Sequence, residues 1–579
     1  MKSSGLGFSA SGAVVWLTVV ALAVSFGIGG YGLIEPDEGR NAEVAREMAA
    51  TDNYVLPHLN GLPYLDKPVL YFAAVAGMVE FMGPTELAAR SVSLMFGLAT
   101  AALVGGFAYR RWGLDAAVVA ATAAATAPLA LGLSRVVIMD SMLSFFVALA
   151  LMAFFIAIEK RNGAEELAAG GRTSMYWTLV AWAAMGLGVL TKGPVAIAVP
   201  LLAATVYGIR RRSLRTVWHP FGFVTMLIIV LPWVWAVLRE VPDFFRYVVV
   251  TETWARMTTD ELGRTEPFWF FVPVLLFGAF PWSFLVLSNL RANLIPDDPD
   301  DRWIRLYLWL WIVLPLVFFS LARGKQEQYV LPLIPAVALL ISGQWSDRQR
   351  GVRVAASAWA LLGLAALLYA SLGMPGLDTS RVSAAVASRT AIFFGVVALV
   401  GACVAGFGSV ARYSLAVIGL AFPLMMLPVA SSVLMKEVAA SRSTRGLAAA
   451  IEDHLTPLTQ LLWIESYAPG MSFYLERPIP VASIDGNELR SNYILGHAEA
   501  YFDEAGVIRP LASAWREMAA CNGPQFFLFG VKKPDLRKAA EAAGWQQLTK
   551  NRRWMVYGPD CSRETGSASE PPGRETVVN

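Results

Sequence analysis

Asp37, Asp66 and Lys67 are the residues whose types and spacing most invite chemistry. They stand in the stretch IEPDEGRNAEVAREMAATDNYVLPHLNGLPYLDKP, Ile34 to Pro68, with seven acids (Glu35, Asp37, Glu38, Glu43, Glu47, Asp52, Asp66), three bases and one of the four histidines. Asp37 and Glu38 follow Pro36, where a helix would begin, and acids there are stabilised by the helix dipole. Capping explains one such acid. It explains less well Asp66, beside Lys67 at the far end of the same loop. Lys67 is either a snorkelling lysine or the cation that meets a lipid-linked phosphate, with Tyr64 three residues earlier able to hydrogen-bond the same anion. Lys325 and Tyr329 make a second basic–aromatic pair, one helical turn apart. Asp140, in RVVIMDSMLSFF, starts an apolar run: alone it reads as an N-cap, and beside Asp37 as a second acid. Together these residue types suit one reaction class, in which a phosphate leaves, held by cations, while a carboxylate takes a proton from an incoming hydroxyl.

The elements that must position them are set by hydropathy. The chain has 579 residues, 56% of them hydrophobic and 16% charged, against roughly 25% charged for a soluble domain. Most of it must therefore face lipid or protein, and the class is a polytopic all-α membrane protein. Spans of about 20 apolar residues are expected at 12–34, 88–109, 116–134, 141–158, 176–191, 193–209, 221–239, 268–288, 303–322, 328–345, 354–373, 390–409 and 413–434, thirteen in all. The apolar segment 69–82 is 14 residues long, and whether it crosses decides the sidedness of everything after it. If it does not cross, the basic connectors at Arg110–Arg111, Glu159–Arg161, Arg210–Arg215 and Arg348–Arg353 all fall on the cytoplasmic side, as the positive-inside rule asks. It is read as a helix at the outer interface. Loop 35–67, Asp140, Lys192, residues 240–266, Arg323 to Gln328 and the tail then lie outside. Cations on that side, Lys192, Arg323 and Lys325, are read as serving an anionic ligand. Within the first loop, Ala42, Ala45, Met48 and Ala49 share a face at helical spacing, with Arg40, Glu43 and Glu47 elsewhere on the surface. That spacing predicts a short amphipathic helix resting on the membrane.

Three domains are expected: 1–434 in the membrane, a soluble α/β or α+β domain over 435–561, and a disordered tail over 562–579 rich in Ser, Glu, Pro and Gly. Leu461–Ile464, Gln525–Val531 and Arg553–Tyr557 read as strands and Asp535–Ala543 as an amphipathic helix. Cys521 and Cys561 are either a pair, if this part is exported, or two thiols. The net charge of +3 is spread out, so nucleic acid is excluded as a partner.

The pattern E-P-D-E-x-R-x-A-E-x-x-R-E-M followed by P-H-x-x-G-x-x-Y-x-[DE]-K-P resembles the opening of bacterial lipid A aminoarabinose transferases, within the protein O-mannosyltransferase-like group of GT-C membrane glycosyltransferases. The V-x-x-D ending at Asp140, L-T-K-G at Leu190–Gly193, P-F-W at Pro267–Trp269 and K-x-x-x-Y in GKQEQYVLP extend the likeness over about residues 34–335. The resemblance implies a GT-C fold of about thirteen helices with a periplasmic C-terminal domain, in the bacterial inner membrane. It implies a polyprenyl-phosphate (undecaprenyl-phosphate) sugar donor, and as acceptor lipid A or another envelope glycan or protein. By position, Asp37 would be the catalytic carboxylate, with Glu38 beside it and Asp140 as second acid. Lys67, Tyr64 and Tyr329, with Lys325, Lys192 and Arg264, would line the donor phosphate. Asp66 stands where the family carries a Glu that helps hold a divalent metal ion. Arg264 stands where the partner His would be, and arginine offers no lone pair to a metal. Asp66 is therefore expected to pair instead with Arg264 or Lys67. Two other functions remain open: a protein O-glycosyltransferase using the same donor class, and a flippase for lipid-linked sugars.

Overall fold

Long apolar helices dominate, as the hydropathy requires. The computed structural model describes residues 7–162, 171–248, 266–294, 299–343, 349–378, 382–503, 506–519, 525–542 and 544–559. Arg264, Cys521, Cys561 and the expected disordered tail lie outside the described residues. The chain divides into two compact units: Met1–Ile28 with Arg90–Leu434, and Gly29–Ala89 with Met435–Asn579. The first loop thus belongs to the unit that holds the tail.

In the first unit every expected span has a helical counterpart, though not every one is long. Among the described residues, eight helices are long and apolar enough to cross a bilayer: Glu86–Trp112, Asp140–Arg161, Arg172–Lys192, Leu214–Glu240, Asp301–Leu321, Gln349–Ser371, Ala384–Val410 and Tyr413–Arg442. The expected span 268–288 is two helices, Phe271–Gly278 and Trp282–Ser288, bent by 108°, which make a ninth if they count as one. Four further expected spans are shorter helices: Ala10–Ser25, Leu114–Thr126, Val195–Arg210 and Glu327–Ser342. Proline and glycine account for the shortening. Ala127, before Pro128, sits at ψ 129°, because the proline ring disfavours helical backbone at the preceding residue. Glu327–Leu333 is a 3-10 helix containing Pro332.

The helix ends sort by charge. Asp140 opens a helix that closes at Lys160 and Arg161, and the next helix returns from Arg172 to Lys192. At the Arg161 end, Arg211 pairs with Glu159 at 2.8 Å and lies over the Trp303 ring at 4.4 Å, while Trp112 Nε1 donates to Asp301 at 3.1 Å. The basic connectors therefore gather at one end of this bundle, and Asp140 and Lys192 lie at the other.

The second unit is built on a six-stranded sheet, in spatial order Ile508–Pro510, Val481–Ser483, Gln460–Ile464, Gln525–Gly530, Trp554–Pro559, Trp545–Lys550. The first four are parallel and the last two join antiparallel. Side chains alternate across it, as strands demand. Leu462, Ile464, Phe527, Phe529 and Tyr557 face Trp515 and Trp545 on one side. Leu461, Trp463, Leu528 and Val556 face Leu447, Ile451 and Met471 on the other. Three strands and the Pro534–Ala542 helix match the expectation; Val481–Ser483, Ile508–Pro510 and Trp545–Lys550 were not expected.

The Leu70–Met82 helix has 13 residues, about 20 Å at 1.5 Å per residue, short of the ~30 Å hydrocarbon core. It packs on the first-loop helix, Asp37–Thr51. That loop helix corrects the expectation of a surface-lying amphipath: Glu43, Arg46 and Glu47 are buried along with Ala42, Ala45 and Met48. The polar face is covered because the Pro469–Leu475 helix of the tail packs on it as well.

Close helix contact in the first unit rests on small residues. A Cβ on Gly419 would drive into the Ala405 amide nitrogen and lie 2.7 Å from the Gly401 carbonyl oxygen, whereas one on Gly406 would meet nothing within 4 Å. Gly419→Leu should lower the thermal unfolding midpoint in detergent by several degrees, consistent with an overpacking cost of about 1–3 kcal/mol. Gly406→Ala should leave it unchanged.

Candidate functional site

The second unit gathers its polar groups around the start of the Asp37–Thr51 helix. Asp37 is the first helical residue and its side chain is 68% exposed; Arg40, one turn on, donates to Asp37 Oδ1 at 2.6 Å and is 20% exposed. Arg40 is the electrostatic centre. Its positive charge is favoured foremost by Tyr64, opposed by the cost of burial, and favoured further by Asp37, Asp66 and Glu35. Four residues between Glu35 and Asp66 thus converge on one guanidinium. The sequence reading put Arg40 on the helix surface, apart from the site. Its spacing of three from Asp37, on a helix, was the signal.

Tyr64 is buried, with its ring edge-on to Phe72 at 5.8 Å. Lys67 is half-buried and its Nζ donates to the Asp66 carbonyl at 2.5 Å. Glu38 caps locally: its Oε2 accepts the Ile34 amide at 2.9 Å. Deeper in the helix, Glu43 grips Arg46 through two bonds of 2.7 Å. Glu47 accepts the amides of Asn60 at 2.5 Å and Gly61 at 2.9 Å, which fixes the His58–Pro63 hairpin. Burial pushes the Glu43 carboxyl well up, against the pull of Arg46.

Asp66 holds the tail. Its carboxylate accepts the Ser491 hydroxyl at 3.0 Å and the amides of Asn492 and Tyr493 at 3.1 Å each, at the start of the Asn492–Gly496 helix. This bears on the divalent metal ion the resemblance implies. The oxygens that would face a metal are engaged by three donors. Among the described residues no group of three or more His, Cys, Asp or Glu is placed to hold an ion. The residues described do not fit such a site, and no step is routed through a metal.

The first unit carries the other candidates. Asp140, 2% exposed, receives Lys192 Nζ at 2.5 Å, and the same ammonium lies 5.8 Å from the centre of the Tyr329 ring. Tyr329 is wedged between Phe271 and Phe319, with ring centres at 6.1 and 5.4 Å. Asp140 is thus not the N-cap expected: Met139 takes that place, and Asp140, the first helical residue, pairs with Lys192. Lys325 and Tyr329 do not form the helical pair expected: Gln326 between them is extended, with φ −142° and ψ 142°, and the 3-10 helix begins only at Glu327. Lys192, not Lys325, is the cation over the Tyr329 ring.

Residues 36–248 match the family described as dolichyl-phosphate-mannose-protein mannosyltransferase. The chain is 30% identical over 346 residues to the undecaprenyl phosphate-alpha-4-amino-4-deoxy-L-arabinose arabinosyl transferase of Erwinia tasmaniensis, covering 59% of this chain and 60% of that protein. It is 32% identical over 346 residues to the protein of the same description from Aeromonas salmonicida, covering 58% and 61%. The chain thus spans about three fifths of the length of these curated relatives. The crystal structure of ArnT from Cupriavidus metallidurans bound to undecaprenyl phosphate superposes with a TM-score of 0.81 at 26% identity, covering 96% of this chain and 99% of that one. The apo form of that protein gives 0.79 at 25% identity.

Asp66→Ala should strand three donors on the Asn492–Gly496 helix and cost about 1–3 kcal/mol. A drop of several degrees in the thermal midpoint, with Asp66→Asn intermediate, is the result expected by scanning fluorimetry.

Proposed function

We propose that the chain, which is similar to the ArnT-like proteins of the GT-C class, moves a sugar from a polyprenyl phosphate to an envelope acceptor such as lipid A. The observation that carries this reading is the Asp37–Arg40 pair: a carboxylate gripped at one oxygen and open to a reactant, on an arginine that Tyr64 and Asp66 also approach.

The donor's C1–O bond to phosphate breaks, and a bond from C1 to the acceptor oxygen forms on the opposite face. Asp37 takes the proton from an acceptor hydroxyl as that bond forms. If the acceptor is an ionised phosphate, Asp37 instead stabilises positive charge building on the sugar ring. Lys67 meets the charge left on the lipid phosphate; by the resemblance Tyr64, Lys192 and Tyr329 are further donor-side residues. Lys192 reaches that role through Asp140, which fixes its ammonium. Arg40 orients Asp37. Lys325 and Arg264 are kept as further phosphate contacts, and Glu38 supports the turn that presents Asp37. The reaction is assigned to the periplasmic face of the inner membrane, the side opposite the basic connectors on the positive-inside reading of the sequence.

The match over residues 36–248 to a family named for protein mannosylation supports a second acceptor class, an exported protein. One assay separates the readings: purified chain, sugar-labelled undecaprenyl phosphate, and either lipid A or an envelope protein fraction. Release of free undecaprenyl phosphate with label on lipid A is the expected result, and label on protein selects the second reading. Movement of intact donor across a vesicle bilayer without bond cleavage identifies a flippase and removes the proposal. Asp37→Asn should cut turnover by about 10²–10⁴-fold while the protein stays folded in the membrane; unchanged turnover removes Asp37 from its role. Lys67→Ala should raise KM for the donor about tenfold, the loss of one charge-assisted contact.

A further inference from the structure

Glu35 has no part in the chemistry above, yet it is the carboxyl most tightly enclosed beside Asp37. It is 2% exposed, so no substrate reaches it. Its Oε1 accepts the Gly470 amide at 2.6 Å, while Oε2 is buried without a hydrogen-bond partner. Its own amide donates to the Arg442 carbonyl at 2.9 Å, and Arg442 Nη2 lies 3.5 Å from the Glu35 carbonyl.

Two glycines make room for this one side chain. A Cβ on Gly39, in the first turn of the Asp37–Thr51 helix, would come within 2.6 Å of Glu35 Cδ, and a Cβ on Gly470 would run into Oε1. The carboxyl is thus the wedge between the helix that carries Asp37 and the start of the Pro469–Leu475 helix. The charged and titratable groups facing it are Arg40, Glu38, Arg553 and the buried phenol of Tyr467. Burial outweighs the pull of the Gly470 amide and of the two arginines, and pushes the carboxyl up to about 8.

We propose that Glu35 is the positioning residue of the Asp37 site: its carboxyl bolts the helix turn at Gly39 to the Gly470 amide and so sets the Asp37–Arg40 pair. The physical reason is competition for Arg40. A neutral Glu35 leaves that guanidinium to Asp37. An ionised Glu35 places a second carboxylate before it, beside the repelling Glu38, with Oε2 lacking any donor. The inference rests on the reading of Asp37 as the working carboxylate.

The test compares full-length wild type, Glu35→Gln, Glu35→Ala and Gly39→Ala, in donor turnover and thermal midpoint across pH. Gln keeps an acceptor for Gly470 and carries no charge. Glu35→Gln should turn over within about threefold of wild type at pH 7 and lack the alkaline loss centred near pH 8 that wild type shows. Glu35→Ala and Gly39→Ala should lose at least tenfold in kcat with KM for the donor little changed. The stability sign is fixed by linkage: a carboxyl raised on folding stabilises fully below its ordinary value of 4.5, and that contribution is lost as pH rises to about 8. Wild type should therefore lose thermal midpoint relative to Glu35→Gln between those values and run parallel above them. Glu35→Gln as impaired as Glu35→Ala, a wild-type kcat in Glu35→Ala, or superimposable wild-type and Gln profiles in both measurements would each overturn the proposal. Absence of turnover in wild type itself overturns the role of Asp37, and the thermal comparison then decides the Glu35 bolt on its own.

Discussion

A guanidinium four-fifths removed from water is the constraint around which the second unit is arranged. Burying a charge costs several kcal/mol unless partners compensate it, and Arg40 has the carboxylates of Asp37 on its own helix and Asp66 at the end of the loop, with Tyr64 and the uncharged Glu35 close to it. Each partner is tied elsewhere as well. Asp66 holds the Asn492–Gly496 helix, Glu35 holds Gly470, and Tyr64 packs on Phe72. The charge that orients the exposed carboxylate is thereby anchored to the C-terminal sheet domain. This gives that domain a physical role in holding the Asp37–Arg40 pair.

The same logic explains why the helix is polar and yet buried. Glu43, Arg46 and Glu47 satisfy one another or the Asn60–Gly61 amides, so their enclosure leaves few orphaned groups. In the first unit, Asp140 and Lys192 repeat the device at smaller scale: a buried carboxylate fixes an ammonium over an aromatic ring.

Much of this was legible in the sequence. Among the described residues, hydropathy located the eight long apolar helices but read the bent pair Phe271–Gly278 and Trp282–Ser288 as one span, and the charge of the connectors separated the two ends of the bundle. The spacing of acids and bases in Ile34–Pro68 marked the loop that holds Asp37, Tyr64, Asp66 and Lys67. What could not be read locally was what covers what. The helix periodicity set Glu43 and Glu47 apart from the alanine face, because the segment that buries them, Pro469–Leu475, lies more than 400 positions away. Strands of three residues, Val481–Ser483 and Ile508–Pro510, are too short to show an alternating pattern. Lys325–Tyr329 looked like a helical pair because the extended Gln326 leaves no signature in residue types alone.

The central claim is that Asp37 works only as Arg40 holds it, and a double-mutant cycle in donor turnover tests that dependence most directly. With Asp37→Asn, Arg40→Met and the double variant, the account predicts strong non-additivity: once Asp37 is gone, losing Arg40 costs little more. Losses that multiply independently would show that the two residues serve separate steps, and would contradict it.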